Sequence, residues 1–233
     1  MNPFHVVLIP DGNRRWARAN GLPEPLGHSE GTNAMERIFD AAQQTNITHL
    51  TFWCASVANL TKRSSGEVSV LAALFKHYLK KLAKHSKIHE HKIRVRVLGR
   101  WAEFLPAGVV DAARKAMDAT AGYTERNLTL LLAYTGTDEM LAAVNRIADQ
   151  ARKNPNLAVE EKLIKSNLWT AELPPVDLVI RTGGESHWSA GLLMWDVADA
   201  QLSFTKTLWP AFGPDEFLKT LENFKQINRR FGR

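Results

Sequence analysis

Six short apolar runs, at residues 5–9, 48–55, 92–98, 127–133, 176–181 and 202–205, recur along this chain and are separated by stretches with helical periodicity. Residues 32–44 carry Met35, Ile38, Phe39 and Ala42 at three-and-four spacing, and residues 67–84 carry Val68, Leu71, Leu74, Phe75, Tyr78, Leu79 and Leu82 in the same way. Such spacing gives a helix one wide apolar face. Further helices are expected at 106–122, 138–152, 159–169 and 214–230, with Pro106 and Pro214 at tolerated first-turn positions. Strands alternating with helices predict an α/β fold: a central, mostly parallel six-stranded sheet flanked by helices. At 233 residues, with no repeat or low-complexity linker, the chain is expected to form one domain. ARKNPN at 151–156 reads as a loop between helices.

In a parallel sheet the ligand site forms beyond the carboxyl ends of the strands, and the polar chemistry of this sequence collects there. HVVLI empties into Pro10, Asp11, Gly12, Asn13, Arg14 and Arg15. Asp11 is a hard oxygen ligand suited to Mg²⁺, which takes few carboxylates together with phosphate oxygens and water. Gly12 lets backbone approach a ligand closely, and the two arginines are forked, permanent cations that fit phosphate. A capped helix with surface arginines would show the same local pattern. A second segment, DLVIRTGGESHWSAGLLMW at 177–195, repeats the design of apolar strand, arginine and paired glycine. Two such turns imply two phosphate groups. Ser56 and Asn59, Gly99 and Arg100, and Tyr134 to Thr137 follow the other strands, where structural roles are equally open.

These segments, in order, resemble the cis-prenyltransferases of the undecaprenyl diphosphate synthase family. The resemblance rests on DGNRRWA with Gly27 and His28, LTFWCASVANLTKR followed by Glu67 and Val68, NLTLLLAY, DLVIRTGGE, FTKTLWPAF and the closing RRFG. It implies an enzyme that condenses isopentenyl diphosphate with an allylic diphosphate, releases pyrophosphate with Mg²⁺, and forms a cis bond. By position, Asp11 would hold Mg²⁺, and Gly12, Asn13, Arg14 and Arg15 would hold the allylic diphosphate, with His28 near it and Trp16 on its apolar side. Ser56 and Asn59 would place substrate and accept or relay the departing proton. Arg181, His187 and Ser189 would bind the isopentenyl diphosphate, with Glu185 as the acid ending RTGGE. The helices at 32–44 and 67–84 would flank the growing tail, and a homodimer is implied.

The departures from the family pattern are specific. Ala55, Ala58 and Leu60 stand where an aromatic, a glutamate and a tryptophan are usual. Glu24 and His187 replace arginines. Gln201 takes the place of a second metal-binding glutamate, often contributed across the dimer, with Asp196 or Asp199 near enough in sequence to compensate. One residue is inserted between His187 and Trp195. Three readings accommodate these changes: a divergent chain-elongating synthase, a head-to-middle (lavandulyl-type) short-chain synthase or cyclase whose strand end also reads SVAN, and a non-catalytic partner subunit or prenyl-lipid binding protein.

The formal charge of +6 concentrates at Lys76–Arg100, where only Glu90 opposes nine basic residues. This stretch is expected to be a solvated helix face, with anionic lipid headgroups a second reading because a long prenyl product must reach a membrane. No nucleic-acid module accompanies the charge, so nucleic acid is the weakest reading. His85, His89 and His91 lack the Cys or carboxylate company of a metal centre. The one cysteine, Cys54, lies in an apolar strand as an inert core thiol. The first residues lead directly into a strand, and no window of about 18 apolar residues occurs, so a cytoplasmic protein with at most peripheral membrane contact is expected.

Overall fold

In the computed structural model, which describes residues 3–226, the strands are β1 (His5–Ile9), β2 (His49–Ala55), β3 (Ile93–Leu98), β4 (Arg126–Leu132), β5 (Leu178–Arg181) and β6 (Gln201–Phe204). The helices are α1 (Asn13–Ala19), α2 (Glu24–Ala42), α3 (Val57–Thr61), α4 (Ser65–Leu82), α5 (Ser86–Glu90), α6 (Trp101–Phe104), α7 (Ala107–Asp118), α8 (Gly136–Lys153), α9 (Glu161–Asn167) and α10 (Pro214–Gln226). The strands form one sheet in the order β3-β4-β2-β1-β5-β6, and every pairing is parallel. Strand β1 is buried along its whole length, as its unbroken apolar run requires of a strand covered on both faces.

The chain leaves β1 for β2 on one side, and β5 docks on the other. The crevice beyond the carboxyl ends of β1 and β5 is therefore a switch point, the place where such sheets bind ligands. One face of the sheet carries the larger core, with Ile38, Phe39, Leu79, Leu82, Val109, Ala113 and Phe217 from α2, α4, α7 and α10 packed on Leu8, Phe52 and Leu130. The other face is covered by Tyr134, Trp169, Leu192 and Leu193, contributed largely by connecting segments.

Helix α2 begins eight residues before its apolar periodicity predicts. Its early turns pack on α1 through glycines, which carry no apolar signal. A Cβ at Gly27 would lie 2.2 Å from the Asn13 carbonyl, and one at Gly31 would lie 2.2 Å from Asn13 Oδ1. The expected helix at 214–230 is described to Gln226, and the closing RRFG lies outside the described residues.

The basic stretch is largely neutralised by acids from distant elements that sequence order hides. Lys81 pairs with Glu36, Lys87 with Asp40, Lys92 with Glu125, and both Arg94 and Arg96 with Glu172. Lys76 and Lys80 remain on the exposed face of α4, and Lys84 is exposed in the turn that follows it. His85 packs edge-on against Phe39, and His89 bonds Tyr123 and the Ala83 carbonyl. Among the described residues no group of three or more His, Cys, Asp or Glu could hold a metal ion, and no helix is long and apolar enough to cross a membrane. Cys54 is half-buried, and burial pushes its thiol up to about 12, consistent with an inert group.

Candidate active site

At the end of β1, Gly12 adopts φ of 115°, a left-handed conformation that favours glycine, and turns the chain into α1 against Leu208. Gly12 brings no side chain to cap α1, so the first-turn N–H groups of that helix are left for an anion or water. Asp11 is anchored by its backbone: its N–H donates to Thr182 Oγ1 at 2.9 Å, and its carbonyl accepts from Thr182 Oγ1 at 2.8 Å and from Trp209 N–H at 3.0 Å. The carboxylate then lies between two guanidinium groups. Arg15 Nη2 is 3.1 Å from Oδ1, and Arg181 Nη2 is 3.0 Å from Oδ2.

Arg181 is buried at the end of β5 and spends its other Nη on the Ser189 hydroxyl at 2.6 Å and the His187 carbonyl at 2.8 Å. His187 Nε2 lies 2.9 Å from Ser189 Oγ, and Glu185 reaches Arg15 at 3.8 Å and His187 Nδ1 at 3.7 Å. Glycine is also needed at 183, with φ of 90°, because a Cβ there would sit 2.6 Å from Arg15 Nη2.

At the end of β2, Ser56 and Asn59 form a reciprocal capping box that starts α3. Asn59 N–H donates to Ser56 Oγ and Ser56 N–H donates to Asn59 Oδ1, each at 3.1 Å. Among the described residues the Asn59 amide N–H₂ and the Ser56 hydroxyl proton have no acceptor, so both can serve a ligand.

These groups line one basin with two lobes. A cavity of about 330 Å³ is lined by Asp11, Gly12, Asn13, Arg14, Arg15, Arg18, His28 and Arg63. A cavity of about 470 Å³ shares Asp11, Asn13, Arg14, His28 and Arg63 and adds Ser56, Asn59, Arg181 and Ser189. Five guanidinium groups and one aspartate line the two lobes, and although Glu24, Glu67 and Glu185 pair with Arg18, Arg63 and Arg15 around them, the cluster stays net positive, as a polyanion site requires. Behind them a small apolar space follows the core between α2 and α4. It runs from Leu71 and Trp209 past Met35, Cys54, Leu74 and Phe75 to Tyr78, Leu79 and Leu130.

Arg63 and Glu67 lie in segments that carry the resemblance, but the sequence reading gives them no role in the site. Glu67 Oε1 accepts from Arg63 at 2.9 Å and from His28 Nε2 at 3.0 Å, with Arg14 Nε at 4.0 Å. Burial holds His28 below the usual histidine range; Glu67 opposes that shift and the Arg63 charge adds to it. A neutral His28 with its proton on Nε2 fits this arrangement. The signal available in sequence was the four-residue spacing of Arg63 and Glu67 beside the asparagine turn. Glu24 does not enter the basin; it binds Arg18 Nε at 2.8 Å and so subtracts a positive charge from the rim.

Two expected placements do not occur, and a third residue lies away from Asp11 within its own chain. Trp16 is half-buried on α1 and lines neither lobe. Gln201 opens edge strand β6 in register with Leu178, three pairs before Arg181 meets Phe204, so it lies toward the opposite end of the sheet from Asp11. Asp196 cannot substitute for it, because it is buried and paired with Lys165. Arg100 and Tyr134 take structural roles, Arg100 pairing with Glu103 and Asp138 and Tyr134 bonding Glu139.

A lone carboxylate does not cage a metal. Asp11 is partly open to the basin, with both oxygens already satisfied by guanidinium N–H groups that phosphate oxygens could instead engage. The donor set fits Mg²⁺ that arrives with a diphosphate, since this ion completes its shell with phosphate oxygens and water.

Comparison with known proteins agrees with this geometry. A family model described as "Putative undecaprenyl diphosphate synthase" matches residues 9–232. A tritrans,polycis-undecaprenyl-diphosphate synthase (geranylgeranyl-diphosphate specific) of Thermococcus kodakarensis is 38% identical, over 99% of this chain and 87% of its own length. An isoprenyl transferase of Treponema denticola is 35% identical, over 98% of this chain and 96% of its own. Among solved structures, lavandulyl diphosphate synthase from Lavandula x intermedia, in complex with dimethylallyl diphosphate, superposes with a TM-score of 0.92 at 29% identity, covering 99% of this chain and 98% of that one.

Proposed function

The chain belongs to the undecaprenyl diphosphate synthase family of cis-prenyltransferases, and on that premise we propose that it condenses isopentenyl diphosphate with an allylic diphosphate to give a cis-prenyl diphosphate and pyrophosphate. The observation that carries this reading is the placement of Asp11 between Arg15 and Arg181, where two arginine-lined lobes meet beside an apolar space.

In this account the allylic diphosphate lies on Gly12, Asn13, Arg14 and Arg15, with Arg63 and His28 at its flank and its tail between α2 and α4. Isopentenyl diphosphate lies on Arg181 and Ser189. Its double bond attacks the allylic C1, a carbon–carbon bond forms, the allylic C–O bond breaks, and a proton leaves the isopentenyl carbon to restore a double bond. The arginines stabilise charge that grows on the leaving pyrophosphate, where preorganised donors contribute most. Mg²⁺ bound with the diphosphate at Asp11 would supply further charge neutralisation of the leaving group. The free Asn59 N–H₂ and Ser56 O–H face the lobe between the two substrates, placed to orient the isopentenyl diphosphate and relay its proton.

Gln201 lies far from Asp11 in its own chain, so as a metal ligand it would serve the site of a second copy. A homodimer is the assembly this requires, and the exposed Leu202 and Phe204 on edge strand β6 support it. A cytoplasmic enzyme could pass its product to a bilayer through the α4 lysines, at about 1 kcal/mol per basic residue near an anionic surface.

A second reading is favoured by one observation: the superposition on lavandulyl diphosphate synthase. It has two dimethylallyl diphosphates joined into a short branched product. Incubation with Mg²⁺, labelled isopentenyl diphosphate and dimethylallyl, geranyl, farnesyl or geranylgeranyl diphosphate, with product mass and connectivity determined, separates the two. Linear growth by five-carbon cis units supports condensation. A branched product from dimethylallyl diphosphate alone supports the second reading, and no turnover with any pair refutes both.

A further inference from the structure

The segment after β5 carries the groups that complete Arg181, and its shape is strained. Ala190 and Leu193 have φ of 50° and 49°, left-handed values that non-glycine residues rarely adopt. Something outside the segment must hold it there. Gly136 N–H donates to the Ala190 carbonyl at 3.0 Å, and α8 approaches so closely that a Cβ on Gly136 would sit 1.6 Å from the Gly191 carbonyl oxygen. The other tether is a side chain: Leu193 N–H donates to the Tyr134 hydroxyl at 3.2 Å.

Tyr134 follows β4 and is fully buried. Its hydroxyl donates to Glu139 Oε2, which fixes the phenol oxygen so that a lone pair faces Leu193. Glu139 is buried too, and its other oxygen accepts from Thr170 N–H at 2.9 Å. A carboxylate is costly to bury. Here its two bonds tie β4, the segment before β5 and the strained loop to one point, and no other role for it appears among its contacts.

We propose that Tyr134 and Glu139 are positioning residues for the isopentenyl diphosphate half of the site. They hold the 190–193 turn in its strained form, and that turn delivers the Ser189 hydroxyl and the His187 carbonyl to Arg181 Nη1. Without them the turn relaxes, Arg181 loses two fixed acceptors, and the guanidinium is no longer aimed. The inference rests on assigning Arg181 and Ser189 to that diphosphate.

Tyr134→Phe tests it, since it removes the hydroxyl while nearly keeping the volume. The expected result is a rise of about tenfold in KM for isopentenyl diphosphate, the scale of one lost buried hydrogen bond. KM for the allylic diphosphate stays within about twofold, and the Leu193 amide loses protection from hydrogen exchange. Should this variant not fold, Glu139→Gln, which keeps one acceptor, is expected to retain more isopentenyl diphosphate affinity than Glu139→Ala. Equal rises in both KM values, or an unchanged isopentenyl KM with Leu193 deprotected, would overturn the proposal. Arg181→Ala separates the premises: if it raises that KM and Tyr134→Phe does not, only the positioning role fails, whereas if it leaves that KM unchanged the assignment of Arg181 fails and the proposal falls with it.

Discussion

Arg181 Nη2 stands 3.0 Å from Asp11 Oδ2, joining the ends of β5 and β1 across 170 residues of sequence. With Arg15 on the other oxygen, the carboxylate lies between two cationic cradles. On the proposed reading, a diphosphate entering either lobe would compete for these guanidinium groups and free Asp11 to meet the cation it brings.

Asp11→Ala is therefore expected to lower turnover by about a thousandfold, the upper end of the range for losing a charge-stabilising group, while leaving the fold intact. It unmasks two arginines, so inorganic pyrophosphate without Mg²⁺ should bind the variant at least as tightly as the parent. Calorimetric titration and steady-state kinetics check both parts. Turnover near that of the parent would remove Asp11 from the metal assignment.

Asn59 caps α3, and the proposed reading adds a chemical role that one substitution separates from the cap. Asn59→Asp keeps an oxygen to accept the Ser56 N–H but removes the amide N–H₂ that faces the basin. Melting temperature should stay close to that of the parent while turnover falls by about a hundredfold or more. Asn59→Ala should lose both, with about 1 kcal/mol of stability gone with the cap. If Asn59→Asp turns over normally, the residue is only a cap.

Acid should weaken the fold through two histidines that are not in the site. His5 is buried between the Pro174 carbonyl at 3.0 Å and Thr51 Oγ1 at 2.8 Å. Burial, helped by the nearby His49 and Lys165 and opposed by the Pro174 bond, depresses it to about 3, and burial depresses His49 to about 4. Both folded values lie below the ordinary 6.5. The unfolded chain therefore binds protons that the folded chain does not, and stability falls as pH drops from about 6.5 toward 4. Each histidine contributes up to about 1.4 kcal/mol per pH unit, with less from the more exposed His49. Urea unfolding between pH 7.5 and 4.5 measures the slope, which His5→Gln should reduce. A slope unchanged by that substitution would contradict this origin.

A mostly parallel sheet could be read from the sequence because β1 is a near-continuous apolar run, β2 and β4 are largely apolar, and the helices between them show clear periodicity; that every pairing is parallel came from the structure. Asp11, Asn13, Arg14, Arg15, Arg181 and Ser189 were legible because they follow strand ends, which a parallel sheet brings to one rim. The start of α2 was not, since Gly27 and Gly31 shape that contact by lacking a side chain. Nor was the contact role of Glu67, which depends on His28 arriving from another helix, 39 residues away in sequence. Gln201 lies at the other end of the sheet from Asp11 of its own chain, a separation set by its register on β6 that sequence position does not reveal. Pairings among charges on distant elements, such as Arg96 with Glu172, have no local signature at all.

The central claim is that the basin around Asp11 couples departure of one diphosphate to attack by a second substrate. Pyrophosphate release from an allylic diphosphate, followed with and without isopentenyl diphosphate in the presence of Mg²⁺, tests it most directly. The account predicts release only when both are present, in step with a product longer by one or more five-carbon units. Release at the same rate without isopentenyl diphosphate, or none with both, would contradict it.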